Sequence, residues 1–142
     1  MKTSHTLFIV IFFLIGSNIF AQECKIILKV SGITKVEGEL SIGLYNNQKS
    51  FLKKGKTVEG VHLKITDTTM TYVFRNLRRD NYAIAIYHDE NANQKLDRNF
   101  LGIPSEDYVF SNYAKGFLGP PKFKDAMFTL TDSIKIELNI SK

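Results

Sequence analysis

The chain of 142 residues contains one cysteine, three prolines and no tryptophan. A single cysteine, Cys24, excludes an internal disulfide framework and every Cys-rich metal or redox motif. Glu23 and Gln22 precede it where lipid attachment needs a small residue, so a lipid anchor at Cys24 is excluded as well. The thiol is expected to lie on the first strand or to pair between chains. No Arg-rich stripe and no RNA-binding aromatic motif are present, which argues against a nucleic-acid partner. Lys53-Lys54-Gly55-Lys56 and Arg75 with Arg78-Arg79 read instead as loop-tip and turn charges. There is no internal repeat, no low-complexity tract and no Pro/Ser-rich linker. No segment has a sustained helical period.

Long apolar runs are scarce too. The longest, Leu7 to Ile15, is about half of the roughly 20 residues that a spanning helix needs. Lys2 stands before it, Gly16-Ser17-Asn18 break it, and Ala21 offers a cleavage site. This layout predicts a signal peptide over residues 1–21 and export to the periplasm or the cell exterior. A mature chain over 22–142 with no transmembrane span would remain, folded as a single β-sandwich domain. Losing Lys2 and no acid lowers the formal net charge of +5 by one, a mild preference for anionic surfaces.

What is plentiful is short alternation. Lys25–Val30, Glu39–Tyr45, His62–Ile65, Thr71–Phe74, Tyr82–His88, Ala126–Thr131 and Ile134–Ile140 are rich in β-branched or alternating apolar residues. Leu40, Ile42 and Leu44 share one face, as do Tyr82, Ile84 and Ile86. Thr131-Asp132-Ser133 reads as a hairpin turn. About seven strands, joined by connections too short for crossover helices, predict an all-β, antiparallel two-sheet sandwich. Residues 89–123 interrupt the rhythm. Phe100, Leu101, Tyr108, Phe110, Tyr113, Phe117 and Phe123 lie in this stretch, so it is expected to be one long ordered loop with its own satellite cluster.

That loop opens with oxygen-bearing side chains at Asp89, Asn91, Asn93 and Asp97, the spacing of positions 1, 3, 5 and 9 of a calcium loop. Alternate side chains of a tight loop turn toward one centre, and Ca²⁺ takes six to eight hard oxygens. Lys95 falls where a main-chain carbonyl would coordinate, and Leu96 where an apolar residue tucks under the loop. Gln94 stands in place of the turn glycine and Phe100 in place of the last carboxylate, so Glu106 or Asp107 would have to complete the set. With two acids inside the loop, affinity should be weak, roughly 0.1–1 mM. The alternative is an Asx-rich turn whose side chains cap amides and hold no ion.

His88 beside Asp89 invites a catalytic reading, but strand neighbours point to opposite faces. Neither Ser105 nor Ser111 sits in a nucleophile elbow. A zinc site of His62, His88 and a carboxylate has no support from spacing.

Tyr87-His88-Asp89-Glu90-Asn91-Ala92-Asn93, Leu96-Asp97, Leu101-Gly102-Ile103-Pro104-Ser105-Glu106, Phe110-Ser111-Asn112 and Gly119-Pro120-Pro121-Lys122-Phe123 followed by Ala126-Met127-Phe128 form a longer pattern. It resembles the bacterial exported family called domain of unknown function 2141. The resemblance implies a small exported β-sandwich of transthyretin-like or immunoglobulin-like type, with no established activity. Ala92 and Gln94 stand where that family often has glycine. The leading expectation is a non-catalytic exported module for a surface ligand or an envelope protein, with a possible Ca²⁺ clamp at 89–97. Tyr108 and Tyr113 would either pack in the satellite cluster, the stronger alternative, or stack on sugar rings or a partner protein. The rivals are a metal-assisted hydrolase using His88, Asp89 and Glu106, which needs a deep pocket joining His88 and Glu106, and a purely structural envelope component.

Overall fold

The computed structural model describes residues 23–141, so the signal peptide expected over 1–21 lies outside the described residues. Strands follow the alternation closely. In β1 (Cys24–Ser31), Cys24, Ile26, Leu28 and Val30 are buried while their neighbours face outward. β2 (Glu39–Tyr45), β3 (Glu59–Lys64), β4 (Met70–Leu77) and β5 (Asp80–Asp89) come next. After a long excursion come β6 (Tyr108–Phe110), a 3₁₀ turn (Ser111–Tyr113), the single helical turn α1 (Phe123–Ala126), β7 (Phe128–Leu130) and β8 (Ile134–Asn139).

The strands form an all-β sandwich. A three-stranded sheet has the order β4-β1-β8; the five-stranded sheet has the order β3-β2-β5-β6, with β7 also paired to β5. The main core lies between the sheets. Ile26, Leu28, Val30 and Phe74 from the small sheet meet Leu40, Ile42, Leu44, Ile84 and Ile86 from the large one. This burial is the main driving force for the fold. A second apolar cluster sits on the opposite, outer face of the five-stranded sheet. There Phe51 packs on Tyr45, Phe110 and Phe123 at centroid distances of 5.4, 6.2 and 5.7 Å.

Three expectations are corrected. The sandwich is not wholly antiparallel: β8 runs parallel to β1, with Ile26 opposite Ile134 and Val30 opposite Leu138. Thr131-Asp132-Ser133 is not a hairpin turn. β7 belongs with β5 and β8 with β1, so these residues carry the chain from one sheet to the other. The excursion also holds an eighth strand, β6, too short to show alternation by itself. The satellite cluster does form, but only Phe110 and Phe123 of the excursion's phenylalanines join it; Phe100 and Phe117 are exposed.

One edge of β5 is paired continuously with β2, from Ala83–Tyr45 to Asp89–Glu39. The other edge is assembled from pieces. β6 covers Ala85 to Tyr87 and β7 covers Asp80 to Tyr82. Between them the amide of Ile84 has no strand partner and donates instead to the Ser111 hydroxyl at 2.9 Å; that hydroxyl donates to the Ala126 carbonyl at 2.5 Å. Asn112, held at φ 59°, donates its side-chain amide to the Met127 carbonyl at 2.8 Å. The Phe-Ser-Asn motif is thus a main-chain splice. Ser111→Ala leaves the Ile84 amide buried without an acceptor and should cost about 1–3 kcal/mol in urea unfolding. An unchanged midpoint would show that the splice contributes nothing.

Candidate functional site

The excursion leaves the sheet at Asp89 and returns at Tyr108. Its neck is closed by carboxylates. Glu106, buried, accepts the amide of Glu90 on one oxygen at 3.1 Å and the amide of Asp97 on the other at 2.9 Å. Asp89 is 0% exposed and accepts the amides of Asn93 and Gln94 at 3.0 and 2.6 Å. The ladder continues outward: the Ser105 amide donates to the Asp97 carbonyl, and Arg98 bridges Pro104. Gly38 (φ +67°) lies against this neck, where a Cβ would collide with the carbonyl of Asp89. Lys35 pairs with Glu90 at 2.5 Å, which raises the lysine pKa.

The expected ligand residues come together in part. Asn91 and Asn93 direct their side-chain amide nitrogens at the Asp97 carboxylate, at 2.8 Å from Asn91 and at 3.1 and 3.2 Å from Asn93. Their oxygens accept main-chain amides of Asn93 and Lys95 at 3.1 and 2.8 Å. Asp89 and Glu106 are turned to amides, and Lys95 lines a neighbouring groove. Among the described residues no group of three or more His, Cys, Asp or Glu side chains converges as an ion cage. Ala92 and Gln94 take φ of 54° and 59°, the left-handed conformation expected of a turn glycine's replacement.

His88 and Glu106 are both buried, and neither lines the groove beside the loop. His88 is 1% exposed, and its Nε2–H donates to the Glu37 carbonyl at 2.9 Å. Its amide donates to the Asp107 carbonyl. Tyr113 is also tied down: its hydroxyl accepts the amide of Asn139 at 3.0 Å.

A groove of about 780 Å³ lies beside the loop, on the outer face of the five-stranded sheet. Its floor is small, because Gly43 pairs with Gly60 on one side and with Ala85 on the other. Tyr45, Tyr87, Tyr108 and Phe110 supply aromatic surface. Lys53, Lys54, Lys95 and Arg98 supply positive charge; among the described residues no acid lines it, and Glu39 lies behind His62. Ser41 Oγ lies 2.7 Å from His62 Nδ1. The Glu39 carboxylate is 4.0 Å from that same nitrogen, so it does not orient the ring from the far side as a nucleophilic relay requires. Burial pushes the Tyr87 hydroxyl pKa up, and the hydrogen bond to Ser41 opposes this. The result is a floor of neutral hydroxyls below a cationic rim. The groove was missed in the sequence, although Ser41, Gly43 and Tyr45 alternate with the core residues of β2 and so share its outer face.

These features define a β-sandwich carrying a stapled loop beside a groove. The chain belongs to a family of uncharacterized proteins conserved in bacteria (DUF2141), whose pattern it matches over residues 28–137. No curated protein and no solved structure matches it.

Glu106→Gln replaces one amide acceptor with a donor and should open the neck. The amides of Glu90 and Asp97 are expected to exchange hydrogen about ten- to a hundredfold faster, for a loss of about 1–3 kcal/mol. Equal exchange in both proteins would show that Glu106 does not hold the loop.

Proposed function

We propose that the protein is an exported, non-catalytic binding module whose ligand site is the groove on the outer face of the five-stranded sheet. One observation carries this reading: His88, Asp89 and Glu106 are committed to main-chain groups, while the groove, where His62 meets Ser41, keeps the Tyr108 ring and four cations accessible. His88, Asp89 and Glu106 each serve the neck or its flanks. The groove has the size and mixed lining of a small-ligand site. Tyrosine faces suit flat or ring-bearing groups, and the rim suits negative charge.

The test uses anilinonaphthalene sulfonate, a flat aromatic anion. Gly60→Leu fills the groove from its exposed floor; the atoms nearest a Cβ there belong to the Thr57 side chain, at 3.1 Å and beyond. The wild-type protein should bind the dye with enhanced fluorescence, and the variant should bind about tenfold more weakly, a loss of about 1.4 kcal/mol. Equal binding at an unchanged unfolding midpoint would sink the groove as the site.

A second reading, calcium at 89–97, is favoured by the meeting of Asn91, Asn93 and Asp97 at one point. Rotating the two amides would turn oxygens toward the Asp97 carboxylate at the cost of their bonds to the amides of Asn93 and Lys95. At about 10 mM Ca²⁺ and a Kd of roughly 0.1–1 mM, linkage gives about 1.4–2.7 kcal/mol of stabilisation. Thermal unfolding in Ca²⁺ against EDTA, with a Mg²⁺ control and Asp89→Ala/Asp97→Ala, measures it. A calcium-specific rise that vanishes in the double variant supports the clamp. No rise leaves an Asx-rich turn.

A further inference from the structure

Two turns beside the groove carry bare apolar tips. Phe100 is 95% exposed with Leu101 next to it at 67%, and Phe117 and Leu118 are each 94% exposed. The first tip is not slack chain. Asn99 exchanges main-chain hydrogen bonds with Ile103 and Gly102, and its side-chain oxygen accepts the amides of Leu101 and Ile103 at 2.9 and 3.1 Å. Arg98 Nη1 donates to the Gly102 carbonyl at 2.9 Å. At the second tip the chain doubles back so tightly that a Cβ on Gly116 would collide with the Pro120 carbonyl. Ordered turns are therefore holding phenylalanine and leucine in water, while the other described phenylalanines and leucines are buried or half-buried.

Both tips spring from the groove rim, since Arg98 and Pro120 line it. The same rim carries Lys53, Lys54 and Lys95 without an acid among the lining residues. Apolar tips beside a cationic rim are complementary to an anionic bilayer surface. Aromatic and leucine side chains enter the boundary between headgroups and acyl chains, and lysines and arginine meet the phosphates. A soluble anion would satisfy the rim and leave the tips in water. A second copy would set one cationic rim against another. We propose that this face docks on an anionic phospholipid membrane, with Phe100, Leu101, Phe117 and Leu118 inserted and the groove rim over the headgroups. The proposal rests on the groove as a binding site but adds a contact that the groove lacks.

Co-sedimentation with phosphatidylglycerol-containing vesicles, against pure phosphatidylcholine vesicles, tests it. Wild type and variants share the same full-length N-terminus, so residues 1–21 contribute equally. Wild type should prefer the anionic vesicles, and salt should weaken that preference. Lys53→Gln/Lys54→Gln/Lys95→Gln should lower binding by about fivefold per lysine, roughly a hundredfold together. Phe100→Ser/Phe117→Ser, at exposed positions that no core depends on, should lower it at least about tenfold. No preference for anionic vesicles, or undiminished binding by the phenylalanine variant, overturns the proposal. Dye uptake by a wild-type protein that ignores vesicles overturns docking and leaves the groove reading standing. Vesicle binding that depends on both variant sets, in a protein that takes up no dye, supports docking and overturns the groove reading.

Discussion

The main chain of β5 needs hydrogen-bond partners along both edges, and the rest of the molecule is arranged around that need. Buried amides and carbonyls left unpaired cost as much as lost hydrogen bonds. β2 satisfies one edge in a single run. The other edge is met by β6, the Ser111 hydroxyl and β7 in turn, all supplied by chain that has already left the sheet at Asp89. The excursion must therefore come back in register, and its neck must close. Glu106 does this by spanning the amides at both ends of the loop.

Closing the neck with buried carboxylates has consequences for chemistry. A buried carboxylate is tolerable when amides satisfy its oxygens, and Asp89 and Glu106 each accept two. Those oxygens then serve as structural staples. The stapled loop becomes a wall of the neighbouring groove, to which Gln94, Lys95, Leu96 and Arg98 contribute. Loop stability and groove shape are coupled through shared main chain, so loosening the neck moves two of the four rim cations.

The elements most legible in the sequence were the strands with strong alternation. Leu40, Ile42 and Leu44, and Tyr82, Ile84 and Ile86, lie on the core faces where period-two reasoning puts them. The residues 89, 91, 93 and 97 were readable as a tight polar loop, and Gln94 takes the positive φ that its place in the motif demands. Less was visible where pairing is not local. β6 has three residues and no pattern of its own. The parallel pairing of β8 with β1 joins segments more than 100 residues apart. The groove depends on the outer faces of several strands and the loop beside them, so no single window of sequence contains it.

By itself, the sequence determined which residues must be buried, where the chain must turn, and that one polar loop follows β5. Those are local matters of hydropathy, period and backbone preference, each decided within a few residues. Only the tertiary structure decided which sheet each strand joins, that Asp89 and Glu106 face amides, and that aromatic rings and cations gather over Gly43, Gly60 and Ala85. These outcomes depend on long-range register, and register is set by the whole core packing at once.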